Sequence, residues 1–406
     1  MKQKRNFPWV KISEKQERSL RRGHPWVYED EILETGGSLE DGGIADVFSR
    51  KEKYLGSGLL SLHSKIRVRI LDRNANETFG EAFFRRRVHY AVSYRYDVMD
   101  DTSSMRLVHG EADGLCGLTV DKYEDLLVSE VLSFGMEQRK DMIYRALIEE
   151  LKEHGVRVRG IYERNESKLR RKEGLEETKG WYDFGEPLPE ESRIRITENG
   201  LSYEVDVAEG QKTGFFLDQK YNRRTLKPLC AGKTVLDTCT HIGSFAMNAA
   251  LYGAKHVTAA DISETAIACA KENAVLSGVD GKMNFVVSDV FELLESLKKE
   301  PRKYDVIVLD PPAFTKSRKT FASARAGYLR INRMAMEVLG RGGYLLTASC
   351  SHFMPREAFE EMLAEAASLA GVSLRIVERR GASPDHPVNP VIPETEYLKF
   401  YVLQII

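Results

Sequence analysis

Three apolar segments in the C-terminal half of the chain each end at a residue that could carry chemistry. The segments are Val235-Leu-Asp237, Asp305-Val-Ile-Val-Leu-Asp310 and Tyr344-Leu-Leu-Thr-Ala-Ser-Cys350. Short apolar runs of this kind are typical of buried strands. Ligands of an open α/β sheet bind outside the carboxyl ends of its strands. The pattern therefore predicts one site at a sheet edge, where carboxylates and a thiol would serve an enzyme that modifies a nucleobase.

The strand-end acids Asp237, Asp261 and Asp289 predict a site for S-adenosylmethionine (SAM). The turn after Asp237 lacks the G-x-G-x-x-G sequence that cradles a dinucleotide pyrophosphate, so a compact cofactor fits better. Asp261 stands near the ~20-residue offset expected of an acid that binds ribose. Asp237 could face the cofactor's amine, and Asp289 its adenine amino group. Any one of these acids alone fits a helix cap, and three in succession favour the cofactor.

The predicted cofactor-binding set joins these acids to their neighbours and to an earlier motif. It comprises Lys212, Thr213, Phe216, Asp237, Thr238, Cys239, Gly243, Asp261, Ile262, Asp289, Val290 and Asp310.

Cys350, between Ser349 and Ser351, is the candidate nucleophile. Attack of its thiolate on carbon 6 of a pyrimidine would make carbon 5 reactive enough to accept a methyl group. The other interpretation is a buried cysteine that packs as a small apolar residue, which is the commoner case. Cys239 is the rival thiol, but its place in the predicted cofactor turn favours a cofactor-binding role.

The loop Asp310-Pro-Pro-Ala-Phe314 follows the second of the three segments. Two prolines fix the chain and remove two N–H donors, which leaves carbonyl groups to accept bonds from a base. In amino-group methyltransferases an aromatic residue follows the second proline directly. Here Ala313 stands at that position and Phe314 comes one residue later, which disfavours methylation of an amino group.

The composition limits the possible partners. Lys and Arg number 60 and Asp and Glu 61, so any nucleic-acid contact must come from a local basic cluster. The five cysteines are odd in number and lack C-x-x-C spacing, so neither a disulfide framework nor a zinc site is expected. We expect no bound metal and a reducing, cytoplasmic location. No apolar run approaches the ~18 residues of a membrane span.

The first ~70 residues are typical of a small β-rich module, with short strands between Gly-rich turns. The basic and aromatic residues Arg21, Arg22, His24 and Trp26 alternate there, as expected of phosphate contacts combined with base stacking. A solvated helix end next to a core tryptophan explains the same cluster equally well. The basic stretch Phe83-Phe-Arg-Arg-Arg-Val-His-Tyr90 is interpreted as a hinge.

The rest of the chain is expected to form a second α+β unit and then an α/β repeat. Asn199-Gly200 predicts a hairpin turn between two short strands. From Lys233 onward strands alternate with helices, which predicts a mostly parallel sheet covered on both faces. We expect three domains, at residues 1–75, 76–190 and 191–406.

Two parts of the sequence resemble known families. The segment Arg21-Arg-Gly-His-Pro-Trp-Val-Tyr28 resembles the opening of the PUA domain, a small RNA-binding β-barrel. The whole chain resembles the RlmI-like family of 23S (large-subunit) ribosomal RNA cytosine-5 methyltransferases. The motifs that carry this likeness are Gly23-His-Pro-Trp26, Gly210-Gln-Lys-Thr-Gly-Phe-Phe-Leu-Asp218, Leu236-Asp-Thr-Cys-Thr-His-Ile-Gly-Ser-Phe245, Asp310-Pro-Pro-Ala-Phe314, Ala348-Ser-Cys-Ser351, Asp385-His-Pro387 and Glu394-Thr-Glu-Tyr-Leu-Lys399.

The resemblance implies an N-terminal PUA β-barrel, a middle α+β domain and a C-terminal Rossmann-like class I methyltransferase sheet. It further implies SAM as cofactor, Cys350 as nucleophile, Asp310 as support for the base, ribosomal RNA as substrate and a cytoplasmic homodimer. Other RNA cytosine-5 methyltransferases carry an extra Cys after Pro-Pro. Here Ala313 and Phe314 stand there, so the sequence does not identify the general base that releases the product. Two alternatives stay open: methylation of another ribosomal base such as guanine, and a non-catalytic RNA-binding or assembly factor.

Overall fold

A computed structural model of the chain describes residues 6–300, 303–314 and 320–406. The chain divides into two compact units. The first contains the described residues up to Ile194, together with Val205–Leu217 and Pro384–Thr395. The described residues of Arg195–Glu204, Asp218–Ser383 and Glu396–Ile406 make up the second. The division into three domains stays a prediction, and residues 1–5 of its first domain lie outside the described residues.

The N-terminal part of the first unit is a six-stranded sheet in the order β2-β6-β5-β4-β1-β3. Its strands are β1 (Trp9–Ile12), β2 (Trp26–Tyr28), β3 (Ile32–Gly36), β4 (Ile44–Ser49), β5 (Tyr54–Leu60) and β6 (Ile66–Asp72). β1 runs parallel to β4, and the other pairings within the sheet are antiparallel. Helix α1 (Glu14–Arg21) is capped by Ser13, whose side chain accepts from the Gln16 N–H at 3.1 Å. Valines at positions 10, 27, 47 and 68 fill the core of this sheet.

A five-stranded sheet in the order β11-β10-β9-β8-β7 follows in the same unit. Its strands are β7 (Ser104–His109), β8 (Leu118–Tyr123), β9 (Leu126–Val131), β10 (Gly160–Asn165) and β11 (Thr178–Trp181). The helices of this region are α2 (Glu81–Val98), α3 (Phe134–Glu137) and α4 (Lys140–Glu153). Strands β9 and β10 are parallel, and the other pairings are antiparallel. The predicted α+β character of this stretch is therefore confirmed.

The basic stretch that was interpreted as a hinge lies inside α2, so that interpretation is wrong. Phe84, Val88, Ala91 and Arg95 are buried at helical spacing along α2. The arginines between the two aromatic ends of the stretch project from a continuous helix with one face in the core. The apolar face outweighs the three consecutive charges, because burying it requires regular helical geometry.

The predicted hairpin is confirmed. Strands β12 (Arg193–Glu198) and β13 (Leu201–Asp206) pair around the two-residue turn. Asn199 has φ 55° and Gly200 has φ 82°, the two left-handed conformations that such a tight turn requires.

The second unit is built on a seven-stranded sheet in the order β16-β15-β14-β17-β18-β20-β19. The strands are β14 (Thr234–Asp237), β15 (His256–Asp261), β16 (Met283–Val287), β17 (Tyr304–Leu309), β18 (Leu339–Ser349), β19 (Leu374–Arg380) and β20 (Lys399–Ile405). The helices are α5 (Lys220–Arg223), α6 (Ser244–Leu251), α7 (Glu264–Leu276), α8 (Val290–Lys298), α9 (Phe321–Val338) and α10 (Arg356–Ala370). The first five strands in the order are parallel, and β20 and then β19 are added antiparallel.

Two apolar cores cover the two faces of this sheet. Ile307 in β17 belongs to the core that contains α9 and α10, whereas Val306 and Val308 belong to the core that contains α6. The predicted α/β architecture is thus confirmed. The chain leaves β14 toward β15 and β16 on one side, and β17 lies on the other side. β14 is therefore the switch point, where ligands of such sheets bind beyond the carboxyl ends of the strands.

Candidate active site

The turn after β14 is tied to both neighbouring strands. The backbone N–H and the hydroxyl of Thr238 donate to the Val308 carbonyl in β17, at 3.2 and 2.9 Å. The Thr240 N–H donates to the Ala260 carbonyl in β15 at 2.9 Å. The turn ends at Gly243, whose φ of 90° suits glycine and where a Cβ would come within 3.2 Å of a neighbouring methyl group. These bonds hold the turn in one shape at the carboxyl edge of the sheet.

Asp237 is fully buried at the end of β14. Its Oδ2 accepts hydrogen bonds from the Thr240 hydroxyl at 2.7 Å and the Ala246 N–H at 3.0 Å, whereas Oδ1 accepts none from the described residues. Burial raises the pKa of Asp237 to about 7, and the charges of Asp310 and Asp261 act in the same direction against the Thr240 bond. A buried carboxyl group with an open acceptor among other carboxylates favours a cationic ligand group.

Asp261 and Asp289 are oriented by backbone N–H groups. Asp261 accepts from the His241 N–H through Oδ2 at 2.9 Å and from the Ser263 N–H through Oδ1 at 3.0 Å. Asp289 caps α8, because its Oδ1 accepts from two N–H groups of the first turn at 2.8 and 3.3 Å. Each carboxylate oxygen has a second lone pair, so both side chains retain acceptor capacity for a hydroxyl or an amino group.

Two apolar residues follow these acids at the same edge. The side chain of Ile262 is 69% exposed. Val290 opens α8 and packs partly against the core. An exposed isoleucine directly after the oriented Asp261 offers an apolar surface of the kind that a flat heterocycle would cover.

The loop after β17 begins at Asp310, which accepts a hydrogen bond from the side-chain amide of Gln219 at 3.0 Å. Further along the loop, the Phe314 ring lies 4.6 Å from the Tyr328 ring and 6.5 Å from the Phe291 ring, measured between centroids. The Phe314 ring therefore packs on the core, and the polar start of the loop faces the sheet edge.

Cys350 follows the last residue of β18, which runs parallel to β17 with Leu309 opposite Thr347. Asp310 and Cys350 therefore leave neighbouring strands at the same edge. Cys350 is half-buried. The side chain of Lys399, in the adjacent strand β20, is buried and donates to the Ser351 carbonyl at 2.5 Å.

Two other thiols of the second unit are held in their protonated form. Burial raises the pKa of Cys239, and the nearby carboxylates of Asp237, Asp310 and Asp261 act in the same direction. Burial likewise raises the pKa of Cys230 to about 12. The surroundings of Cys239 thus disfavour a thiolate, whereas Cys350 has a buried amine close to its backbone.

Three residues of the predicted cofactor set belong to the first unit. The Thr213 hydroxyl lies 2.5 Å from Asp121 Oδ2 and 2.9 Å from the Tyr123 hydroxyl. The Lys212 ammonium lies 4.5 Å from the centroid of the Phe216 ring. Their role toward the cofactor stays a prediction.

The predicted RNA-binding cluster also lies in the first unit. Arg21, at the end of α1, is paired with Glu17 at 2.6 Å, and Arg22 is exposed. The other two members are held by acids within the same unit. His24 Nε2 lies 3.3 Å from Glu394 Oε2, and the Trp26 indole N–H donates to Glu111 Oε1 at 3.2 Å.

Two residues at the site, Gln219 and Lys399, were not assigned a role from the sequence. Both stand within or next to motifs that carry the resemblance, which was the available signal. The hydrogen bond from Gln219 to Asp310 and the position of Lys399 beside Cys350 both depend on tertiary contacts, which no local sequence pattern shows.

The sequence matches the model of the S-adenosylmethionine-dependent methyltransferase family over residues 168–399. The chain belongs to this family. A second family model, that of the PUA-like domain, matches residues 10–73. SAM as cofactor and the predicted fold class, a methyltransferase sheet preceded by a PUA-like domain, are therefore confirmed.

Relatives of this methyltransferase match it over nearly their whole length. A protein of Pseudoalteromonas atlantica called ribosomal RNA large subunit methyltransferase I is 37% identical over 96% of this chain and 97% of its own. A protein of the same name from Vibrio cholerae is 38% identical over 98% of this chain and 100% of its own. The crystal structure of SMU.776 complexed with SAH has the same fold, with a TM-score of 0.82 and 22% identity over 98% of this chain and 99% of that one.

The residues at the methyltransferase's sheet edge fit the chemistry of SAM. Oδ1 of Asp237, which accepts no bond from the described residues, suits an ammonium group. A cationic ligand would also offset the repulsion between Asp237 and the carboxylates of Asp310 and Asp261. No helix among the described residues is long and apolar enough to cross a membrane. Within the same ranges, no group of three or more His, Cys, Asp or Glu residues is arranged to hold a metal ion.

Proposed function

We propose that this methyltransferase methylates carbon 5 of a cytosine in 23S ribosomal RNA through a covalent adduct with Cys350. The relatives support ribosomal RNA as the substrate, because proteins named ribosomal RNA large subunit methyltransferase I share 37–38% identity with nearly the whole chain. A cytoplasmic location and a homodimer stay predictions.

The observation that carries the proposed chemistry is the place of Cys350. It leaves β18 at the edge where Asp310 leaves β17, and the buried amine of Lys399 bonds the next carbonyl. The rival thiol Cys239 lies among three carboxylates that oppose its ionisation. Since the thiolate is the reactive form of cysteine, these surroundings favour Cys350 as the nucleophile.

The proposed reaction begins when the Cys350 thiolate adds to carbon 6 of the cytosine. A C–S bond forms, and the electron pair of the 5,6 double bond becomes available at carbon 5. SAM, held by the acids at the sheet edge, would supply an electrophilic methyl group for that carbon and would leave as S-adenosylhomocysteine. A general base then removes the proton from carbon 5. The double bond between carbons 5 and 6 forms again, and the Cys350 thiolate is expelled. Asp310, the first residue of the loop after β17, would accept a hydrogen bond from the cytosine.

The packing of Phe314 supports carbon over amino-group methylation. An aromatic residue that stacks on a target base needs a free ring face. The Phe314 ring instead contacts Tyr328 and Phe291 in the core. A non-catalytic role is disfavoured because Asp237, Asp261, Asp289 and Asp310 are all present.

Nucleoside analysis of ribosomal RNA tests the proposal. RNA from cells that lack this protein should lose one 5-methylcytosine of the large subunit, and the wild-type gene should restore it. A gene for Cys350→Ala should not restore it, whereas Cys269→Ala, a change at another half-buried cysteine, should. Loss of a methylated guanine or adenine instead would overturn the assignment of the base.

A further inference from the structure

Lys399 is an unusual residue for the core of the second unit. It begins β20, where it lies opposite Ser349, the residue directly before Cys350. Only 2% of its surface is exposed. Lysine is seldom buried without a specific partner for its amine.

The amine of Lys399 makes hydrogen bonds to two backbone carbonyls. Nζ donates to the Ser351 carbonyl at 2.5 Å and to the Tyr397 carbonyl at 2.7 Å. A charged amine has three hydrogens, and these two bonds use two of them. They fix the charged amine on the backbone that follows Cys350.

The charges around Lys399 couple it to Cys350. Burial lowers the pKa of Lys399 to about 8, while the charges of Cys350 and Glu396 raise it and that of Arg356 lowers it. Glu396 and Arg356 are paired with each other at 2.8 Å and largely offset one another. The attraction between amine and thiol is mutual, so an ammonium at Lys399 stabilises a thiolate at Cys350.

We propose that Lys399 is a positioning residue of the methyl-transfer reaction, which holds the Cys350–Ser351 backbone and, as an ammonium, stabilises the thiolate of Cys350. The S–H bond breaks, its proton leaves to water, and the thiolate is left near the Lys399 ammonium. When the adduct breaks down, the thiolate returns to the same partner. This inference rests on the proposed role of Cys350 as the nucleophile.

Another buried lysine of the chain serves as a control for a purely structural role. Lys122 in β8 is 2% exposed and donates to the carbonyls of Thr102 and Ser103, both at 2.8 Å. It therefore anchors backbone carbonyls as Lys399 does. Lys122→Met is the matched control for Lys399→Met, which keeps the apolar stem and removes the amine.

The test is the rate at which iodoacetamide alkylates Cys350, followed by peptide mass spectrometry in the absence of RNA. In Lys399→Met this rate should be about tenfold lower at neutral pH. In strong alkali, where the thiol ionises unaided, the rate should approach that of the wild type. Lys399→Arg, which keeps a cation, should retain most of the neutral rate, and Lys122→Met all of it. Calorimetry of SAM binding checks that each variant is folded.

Two results would overturn the role of Lys399. One is a wild-type rate for Lys399→Met at neutral pH; the other is an equal slowing at both pH values, which would mean that Lys399 only shapes access to the thiol. If Lys399→Met does not fold, the role of Lys399 is tested on the wild-type protein instead. Its ultraviolet thiolate absorbance at neutral pH should exceed that of Cys350→Ala, and equal absorbance would also overturn the role. Because no RNA is present, an error in the proposed target base would appear in the nucleoside analysis and not here.

Discussion

The side-chain amide of Gln219 donates a hydrogen bond to Oδ2 of Asp310 across 3.0 Å. The Gln219 carbonyl accepts a bond from the Asn222 amide at 2.7 Å, which keeps the Gln219 nitrogen turned toward the carboxylate. This pair of bonds orients Asp310 before a cofactor or a base arrives. Such preorganisation of a charged group is a common source of catalytic efficiency.

Replacement of Gln219 by Ala should therefore slow methyl transfer about tenfold, the effect expected when a hydrogen bond to a charged group is lost. Gln219→Glu should do more damage, because it places a second negative charge beside Asp310. Gln404→Ala is the control, since Gln404 makes an exposed contact of 3.4 Å with the Gly342 carbonyl. A normal rate of transfer to ribosomal RNA in Gln219→Ala would show that the bond is not needed.

The buried carboxyl of Asp237 should make SAM binding depend on pH. Burial raises its pKa from the ordinary 3.8 to about 7, so below pH 7 a proton must leave before the carboxylate can face an ammonium group. The affinity is expected to weaken by up to about tenfold per pH unit as the pH falls below about 7. Calorimetry of the wild-type protein measures this slope.

The sign for stability follows from the same shift in pKa. Between pH 3.8 and about 7 the folded state holds the extra proton, so the free energy of unfolding without cofactor should fall as the pH rises. Asp237→Asn should bind SAM more weakly and with little dependence on pH. A wild-type affinity that stays constant through this window would contradict the assignment of Asp237.

Asp261 is expected to bind the cofactor through the acceptor capacity that its two backbone bonds leave over. Asp261→Ala should weaken SAM binding by about 1–3 kcal/mol, the cost of leaving a polar group without its partner. Asp280→Ala, a change at an exposed acid of the same unit, serves as the control. Equal affinities of the two variants in calorimetry would remove Asp261 from the site.

The basic cluster at the end of α1 should supply RNA affinity and no chemistry. The double change Arg21→Ala and Arg22→Ala should weaken RNA binding and lower the slope of log affinity against log salt by about 1–2, the loss of two phosphate contacts. SAM binding should not change. Arg157→Ala removes a more exposed arginine of the same unit, 90% exposed in its side chain, and should have little effect. An unaltered salt slope in the double variant would refute the assignment.

Much of the second unit follows from local pattern. The apolar runs that end at Asp237 and Asp310 predict buried parallel strands, because such strands are covered on both faces. The Asn199-Gly200 turn is equally local, since both of its residues must adopt positive φ. Local patterns of this kind need no knowledge of the partner segment.

Other features depend on contacts between distant segments. Lys399 reaches Ser351 only because β20 pairs antiparallel with β18. Arg69 stands at a position in β6 that alternation assigns to the polar face, yet it is buried because it is paired with Glu173 at 2.7 Å. The hinge predicted for the stretch in α2 is wrong, because the apolar face at helical spacing requires a continuous helix despite the local charge.

The central claim, a covalent bond between Cys350 and cytosine, is tested most directly by trapping the adduct. Ribosomal RNA that carries 5-fluorocytosine should stay attached to the enzyme in denaturant, because fluorine at carbon 5 prevents the loss of a proton that releases the product. Mass spectrometry of the digested complex should place the modified nucleotide on Cys350, and Cys350→Ala should give no adduct. An adduct on Cys239, or methylation by Cys350→Ala at the wild-type rate, would contradict the mechanism.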